Sequence, residues 1–349
     1  MSLNIIISVI LSCSISVFAT YNIIRFSKKL GLGDAPSEAR KIHKVKIPNL
    51  GGVAVFIATM ITYFTFSDYS PTIRPDRLFT ISIFLFFLGL ADDLDGISAK
   101  SRLIMEFLCA FFIIAITNIR LTTLWGILGI MDLPVWASYM LTSIFIVGCI
   151  NAYNMIDGID GLLGSLALLG TVCFGFIFKF SHEWLWTLLC TSMCGALAGF
   201  LYFNWNPAKI FMGNGGSLFL GTIFACFAVR VMQLPPLSNG IITITMPFTL
   251  SFSIVAIPVI DMVTVFIIRL AYGDSPFTAD QCHLHHRILN LGVSQKQTLG
   301  LIVLFNLLII AFAYFVQNTG ALRSLFYTIL FCFAVEAIIV YFSLFYKKK

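Results

Sequence analysis

Long uninterrupted apolar stretches constrain this chain more than any other feature of its sequence. A helix that crosses a bilayer needs about 20 mostly apolar residues. Only 11% of the 349 residues are charged and 59% are hydrophobic, which leaves too few polar residues to cover a soluble globule. The sequence therefore predicts an all-α, polytopic membrane protein that forms one integral domain over residues 1–349. About eleven transmembrane helices are predicted, over residues 3–26, 49–68, 76–92, 101–118, 136–156, 160–180, 184–203, 215–233, 240–270, 296–316 and 320–345.

The positions of lysine and arginine predict the orientation of these helices. Cationic loops stay on the cytoplasmic side of a membrane, and an N-terminus outside places sixteen of the 22 Lys and Arg residues there. The odd number of spans also leaves the basic tail 347–349 in the cytoplasm. Because this distribution accounts for the net charge of +6, no nucleic-acid partner is expected.

The same orientation places every unusual polar stretch in cytoplasmic loops, which are therefore expected to form the active site. These stretches are "GDAPSEARKIHKVKIPNLGG", "ADDLDGISAKSR", "NAYNMIDGIDGL", "FNWNPAKIFMGNGGS" and "SPFTADQCHLHHR".

The stretch "ADDLDG" places Asp92, Asp93 and Asp95 at the end of the third predicted helix. Negative charge at a helix C-terminus is opposed by the helix dipole, so a compensating cation is expected. Adjacent carboxylates beside a membrane serve as metal ligands or as a proton acceptor. The alternative is a solvated helix cap with Lys100 and Arg102 as counter-charges.

In "NAYNMIDGIDGL", Asn151, Asn154, Asp157 and Asp160 follow one another at steps of three. This spacing predicts one polar side of a helix end, with oxygen atoms that suit a hard cation or the hydroxyls of a sugar. A tight turn rich in Asn, Asp and Gly is the alternative.

The glycine-dense stretch 203–221 is predicted to approach a ligand closely. Gly213, Gly215 and Gly216 precede a helix that is expected to begin at Ser217, and the free N–H groups of a helix start favour phosphate. Lys209 adds a positive charge to the same loop.

The stretch "CHLHHR" concentrates imidazole and guanidinium groups, and two interpretations remain open. Cys282 with two or three of the histidines could bind zinc, or the histidines and the arginine could hold a pyrophosphate. The residues concerned are His283, His285, His286 and Arg287.

Oxygen ligands for magnesium, a glycine-lined helix start and cations together indicate a phosphate-bearing substrate. Two other classes stay open. A secondary transporter would need deep ionisable groups in an inverted repeat, and only Glu106, Asp261 and Glu336 could lie deep. A zinc-dependent membrane hydrolase would need a recognised ligand set, but "HEWLW" lacks a second histidine.

Six motifs in order resemble those of the polyprenyl-phosphate N-acetylhexosamine-1-phosphate transferases, over roughly residues 34–290. They are "RKIHKVKIPNLGG", "DDLDGISAKSRL", "NAYNMIDGIDGL", "FNWNPAKIFMGNGGSLFLG", "PVIDMVTVFIIR" and "SPFTADQCHLHHR". The form of the last motif is similar to the branch that uses undecaprenyl phosphate and N-acetylglucosamine.

The resemblance implies transfer of a phospho-N-acetylhexosamine from a UDP-sugar to undecaprenyl phosphate, with UMP released and Mg²⁺ required, or Mn²⁺ in its place. It implies a bacterial inner-membrane location and leaves a homodimer open. The alternatives are another UDP-N-acetylhexosamine, UDP-MurNAc-pentapeptide, or a catalytically impaired member.

Roles carried over by motif make Asp92 the favoured base, with Asp93 beside it or on the metal. Asn154 and Asn214 would lie at the magnesium ion. Substrate binding is implied for Lys41, His43, Asp157, Asp160, Lys209, His283, His285, His286 and Arg287.

One position departs from the family pattern. The family carries a magnesium-binding aspartate after "FMG", and this chain has Asn214. Because an amide oxygen brings no charge, we expect an active enzyme that needs more magnesium than its relatives.

Overall fold

The computed structural model describes residues 2–30, 47–67, 75–240, 242–275 and 282–346. Eleven long helices within these ranges coincide with the predicted apolar stretches, and one short helix, α10, lies between the ninth and tenth of them. The helices are α1 (Ser2–Leu30), α2 (Gly51–Phe66), α3 (Asp76–Asp95), α4 (Ala99–Thr117), α5 (Val135–Met155), α6 (Leu162–Phe180), α7 (Trp184–Asn204), α8 (Gly213–Met232), α9 (Pro247–Ala271), α10 (Leu284–Leu289), α11 (Gln295–Val316) and α12 (Ala321–Tyr346).

The lengths and compositions of the helices confirm a polytopic membrane protein. Eight of the described helices are long and apolar enough to cross a bilayer, namely α1, α5 to α9, α11 and α12. Helix α2 is apolar but has only 16 residues, while α3 and α4 carry several charged residues. Eleven spans therefore remain a prediction.

Two short antiparallel hairpins, which the sequence did not predict, lie at one end of the helix bundle. Strand β1 (Thr123–Ile127) pairs with β2 (Ile130–Asp132), and β3 (Leu237–Ser238) pairs with β4 (Thr243–Ile244). The indole Nε1 of Trp125 donates to the carbonyl oxygen of Met232 at 3.0 Å, which links the first hairpin to the end of α8. We call this the hairpin end, and the opposite end of the bundle the site end.

Small polar side chains hold α1 against α7. The hydroxyl of Ser12 donates to the carbonyl oxygen of Ser192 at 2.6 Å, and that of Ser16 to the carbonyl oxygen of Ala196 at 2.7 Å. In lipid, helices associate through close packing and interhelical hydrogen bonds rather than through a hydrophobic driving force. The four-residue spacing of these serines places both contacts on one face of α1.

Helix α8 is the central helix of the bundle, with nearly all its side chains buried. Glycines let its first turns approach α2 and α3 closely. A methyl group at Gly52 would lie 2.3 Å from the Cα atom of Gly216, and one at Gly89 would lie 2.5 Å from the carbonyl carbon of Asn214. Because neither position has room for a side chain, the start of α8 is fixed directly beside the end of α3.

Candidate active site

The two adjacent aspartates at the end of α3 have different partners. One carboxylate oxygen of Asp92 accepts the backbone N–H of Ile97 at 2.7 Å, and the other accepts the guanidinium of Arg102 at 3.0 Å. Asp92 thus has the arginine counter-charge of the alternative interpretation of "ADDLDG", but its side chain is only 8% exposed and is not a solvated cap. Its negative charge is already compensated within the protein.

Asp93 is directed toward the start of α8. Its Oδ2 atom accepts the backbone N–H of Asn214 at 2.9 Å, and its carboxylate also accepts the N–H of Gly215 and the side chain of Asn49. Helix α8 begins at Gly213, four residues before the predicted start at Ser217. The carboxylate of Asp93 therefore occupies the positive end of the α8 dipole, where the sequence predicted phosphate.

Asn214 and Asn154 meet through Ser217. The hydroxyl of Ser217 donates to the amide oxygen of Asn154 at 2.6 Å and lies 3.2 Å from the carbonyl oxygen of Asn214. The amide nitrogen of Asn214 donates to Asp92 at 3.0 Å. Since a carboxylate oxygen at position 214 would face Asp92 across the same distance, the amide removes a charge repulsion from this contact.

The prediction that Asn151, Asn154, Asp157 and Asp160 share one side of a helix is wrong for the two aspartates. Helix α5 ends at Met155, because Gly158 and Gly161 follow closely, and both aspartates lie in the turn beyond it. The side-chain amide of Asn151 donates to Glu106, away from the turn. The predicted polar stripe is therefore divided among separate contacts.

Asp160 is held by the loop that follows α7. Its Oδ2 atom accepts the side-chain amide of Asn206 and the backbone N–H of Ala208, each at 3.0 Å. The same Asn206 amide donates to the side-chain oxygen of Gln295 at 2.6 Å. These bonds attach the "NAYNMIDGIDGL" turn to the glycine-dense stretch and to the start of α11.

Asp157 is the least compensated acid at the site end. No described residue forms a hydrogen bond or an ion pair with its side chain. Burial, and then the neighbouring carboxylates of Asp93 and Asp160, raise its pKa to about 7. Excess negative charge of this kind favours either a bound proton or a bound cation at the site.

His285 packs directly against the same turn. A methyl group at Gly158 would lie 2.1 Å from the Nε2 atom of His285, so only glycine leaves room for the ring. The imidazole is 1% exposed, and neither ring nitrogen has a hydrogen-bond partner among the described residues. Burial, followed by the adjacent His286 and His283, holds its pKa well below the ordinary value, so the ring is neutral.

The remaining candidates lie on or next to α10, except for Lys209 in the loop before α8, and they differ in their surroundings. The Nδ1 atom of His283 lies 2.9 Å from Asp261 of α9, which identifies Asp261 as the residue that positions this segment. The ring of His286 lies 4.3 Å from that of His285, and Arg287 is buried. Lys209 is exposed, and no ion pair joins it to a described residue.

The structure therefore brings Asp92, Asp93, Asn154, Asp157 and Asn214 to one place, with Asp160 and His285 against the same turn. Lys41 and His43 lie outside the described residues.

The oxygen donors of the site end fit magnesium better than zinc. No three His, Cys, Asp or Glu residues in the described part of the chain form a group that could hold a metal ion by themselves, which weighs against zinc at "CHLHHR". Magnesium typically uses one or two carboxylates and keeps its remaining positions for water and substrate phosphate. The carboxylate of Asp93 and the amide oxygens of Asn154 and Asn214 would supply such a set.

Sequence reasoning missed several residues that position the site. Asn49, Asn206 and Gln295 contact the candidate aspartates or each other, yet no motif identifies their roles. Asn206 and Gln295 are 89 residues apart in the chain, and sequence spacing carries no signal for a pair so distant. Asn206 at least lies within the glycine-dense stretch, where its polarity among apolar neighbours was visible.

Comparisons with known proteins match this geometry to a family. Residues 77–232 match the model described as glycosyl transferase family 4, a range that includes Asp92, Asp93, Asn154, Asp157 and Asn214. The chain is similar to an undecaprenyl-phosphate alpha-N-acetylglucosaminyl 1-phosphate transferase from Escherichia coli strain K12. The two are 31% identical over 287 residues, which are 80% of this chain and 75% of the relative.

Two further relatives extend the similarity over more of the chain. A protein of the same name from Salmonella typhi is 31% identical over 308 residues, 87% of this chain and 80% of the relative. A probable undecaprenyl-phosphate N-acetylglucosaminyl 1-phosphate transferase from Bacillus subtilis strain 168 is 28% identical over 333 residues, 93% of this chain and 88% of the relative.

Proposed function

The chain belongs to glycosyl transferase family 4, and on that basis we propose that it transfers an N-acetylhexosamine 1-phosphate from a UDP-sugar to undecaprenyl phosphate. The relatives named above act on undecaprenyl phosphate and N-acetylglucosamine, which makes UDP-N-acetylglucosamine the favoured donor. A phosphate oxygen of the lipid attacks the β-phosphorus of the donor. The bond from that phosphorus to the bridging oxygen breaks, and UMP leaves.

One observation carries this proposal: acids from separate loops meet at the site end without matching cations. The carboxylate of Asp93 helps to raise the pKa of Asp157, and neither acid forms an ion pair within the described residues. A magnesium ion brings the positive charge that such a cluster lacks, and it binds carboxylates and substrate phosphates together. When bound, Mg²⁺ would neutralise charge on the diphosphate, with Asp93, Asn154 and Asn214 as the residues that would hold it.

The acids divide into distinct roles. The resemblance makes Asp92 the favoured base, but its carboxylate is already bonded to the backbone of Ile97 and to Arg102. Asp157, whose pKa is raised to about 7, is better suited to take a proton from the lipid phosphate near neutral pH. Asp92 and Arg102 then position Asn214, and Asp93 fixes the start of α8.

The remaining candidates surround the donor. The unpaired nitrogens of His285 provide a hydrogen-bond donor and an acceptor for the diphosphate or the sugar. Arg287 and Lys209 supply positive charge for the phosphates. Substrates held in this way react mainly because they are correctly placed.

Purified full-length protein with undecaprenyl phosphate, Mg²⁺ and radiolabelled UDP-N-acetylhexosamines tests the proposal. We expect UMP release and label transfer to the lipid phase, with UDP-N-acetylglucosamine as the best donor. UMP release should stop when undecaprenyl phosphate is omitted, whereas a hydrolase would continue. Lack of transfer from every UDP-N-acetylhexosamine and from UDP-MurNAc-pentapeptide would instead support a catalytically impaired member.

A further inference from the structure

The first turns of α11 lie against the turn that carries Asp160. Gln295 is the first residue of α11, and Leu299 follows four residues later on the same face of that helix. A methyl group at Gly161 would lie 3.4 Å from the Cδ1 atom of Leu299. The start of α11 therefore packs close to the residue that follows Asp160.

The side-chain amide of Asn206 joins Gln295 to Asp160. An amide NH₂ group has two hydrogens to donate. Asn206 donates to the Oδ2 atom of Asp160 at 3.0 Å and to the side-chain oxygen of Gln295 at 2.6 Å. The last torsion of an asparagine side chain is broad, so a single bond would leave the amide free to rotate. The two bonds together fix its orientation toward Asp160.

Asp160 keeps one carboxylate oxygen for a ligand. Its Oδ2 atom accepts the amide of Asn206 and the backbone N–H of Ala208, each at 3.0 Å, and no described residue donates to its Oδ1 atom. The side chain is half-buried, and an ionised carboxylate accepts hydrogen bonds on both oxygens. Its Oδ1 atom is therefore available to hydroxyl or N–H groups, which a UDP-sugar carries on its base, its ribose and its sugar.

We propose that Gln295 is a positioning residue that fixes Asp160, through Asn206, for the hydroxyl or N–H groups of the donor UDP-sugar. This inference rests on the proposed function, because that function supplies the UDP-sugar. Gln295 itself touches no substrate. Its effect passes through the Asn206 amide to the Asp160 carboxylate, so it concerns the donor and not undecaprenyl phosphate.

The variant Gln295→Met tests this role, because methionine has a similar length and its thioether is only a weak acceptor for the Asn206 amide. Full-length wild-type and variant proteins are compared for the kcat of UMP release and for the KM of each substrate. We expect the KM of UDP-N-acetylglucosamine to rise about fivefold, as when one hydrogen bond is lost, with a smaller change in kcat. The KM of undecaprenyl phosphate should not change. A wild-type donor KM, or equal rises in both KM values, would overturn the inference.

The matched control is Gln297→Met, because Gln297 lies in the same turn of α11 and has no bond to Asn206 or Asp160. Its side-chain oxygen accepts the backbone N–H of Ser294 at 3.1 Å and completes a capping box. Loss of this cap destabilises the start of α11 but leaves the Asn206 amide in place, so the donor KM should stay at the wild-type value. A rise equal to that of Gln295→Met would assign the effect to the stability of α11 and overturn the inference.

Calorimetry with UMP and with UDP-N-acetylglucosamine identifies the part of the donor that Asp160 contacts. If Gln295→Met weakens the binding of both ligands equally, the contact is to the nucleotide. If only the UDP-sugar binds more weakly, the contact is to the sugar. Both results support the positioning role, and unchanged binding of both ligands would contradict it.

A double variant separates positioning from a general effect on the fold. Asn206→Ala combined with Gln295→Met should bind the donor no more weakly than Asn206→Ala alone, because Gln295 acts only through Asn206. Additive losses would overturn this inference while leaving the proposed function intact. Wild-type protein that neither binds a UDP-sugar nor releases UMP would overturn both.

Discussion

The two ends of the helix bundle treat their charged groups differently. At the hairpin end, Glu183 is paired with Arg230. At the site end, Asp92 is paired with Arg102, but Asp93, Asp157 and Asp160 have no Lys or Arg partner among the described residues. Half-buried acids that are left without a cation raise the free energy of the folded state, so Asp93, Asp157 and Asp160 mark the place where a cation is expected to bind.

The largest effect is expected when one acid is neutralised at each end of the bundle. Asp93→Asn should lower kcat for UMP release by about 10²–10³-fold, the range seen when an electrostatic contact to a reacting group is lost. Glu183→Gln removes a paired acid at the hairpin end and should leave kcat unchanged. Thermal unfolding of both proteins would check that they remain folded. Equal losses of kcat in the two variants would show that the difference in pairing has no functional meaning.

A smaller effect is expected when charge is added at the site end. Asn214→Asp introduces the acid that the motif resemblance implies at this position, where the Asn214 amide nitrogen lies 3.0 Å from the carboxylate of Asp92. The variant should reach half-maximal activity at about tenfold lower Mg²⁺, since ligand charge strengthens binding of hard cations. The measurement is a Mg²⁺ titration of UMP release. An unchanged or poorer magnesium dependence would contradict the assignment of position 214 to the metal.

The smallest expected effect is on stability, and it tests the unpaired acids of the site end without any substrate. The pKa of Asp157 is about 7 in the folded protein against an ordinary value of 3.8, so the folded state holds its proton more tightly. The free energy of unfolding should therefore fall as the pH rises from about 4 to about 7, because burial, and then the charges of Asp93 and Asp160, disfavour the ionised form of Asp157.

Thermal unfolding in detergent with a metal chelator, at pH 5 to 7.5, measures this effect. The midpoint of wild-type protein should drop by a few degrees more than that of Asp157→Asn, which cannot ionise. Mg²⁺ should recover the loss at the high end of this range in wild-type protein. Parallel profiles for the two proteins would exclude Asp157 as the titrating acid.

Much of the fold was predictable because lipid imposes a simple rule. A segment in a bilayer must satisfy its own backbone hydrogen bonds, so about 20 apolar residues in a row become a helix. All eleven predicted stretches contain a long helix, and the ends differ by a few residues. The largest difference is at α9, which begins at Pro247, because residues near 240 form the second hairpin instead.

The candidate site was predictable as a set of residues but not as a set of contacts. Asp92 and Asp93 are adjacent, and their sequence context is almost the same. Their roles diverge because α3 presents Asp92 to Arg102 and Asp93 to the start of α8. Likewise Asn151 and Asn154 follow one spacing, but one contacts Glu106 and the other Ser217. Partners such as these are chosen by packing between helices.

The sequence by itself determined the membrane class, the position of the helices and the polar segments that supply the chemistry, because these depend on local composition and spacing. Only the tertiary structure decided which acids are paired and which end of α8 is already occupied by a carboxylate. These features depend on residues far apart in the chain, and their free energies arise from burial and charge that exist only after the helices have packed.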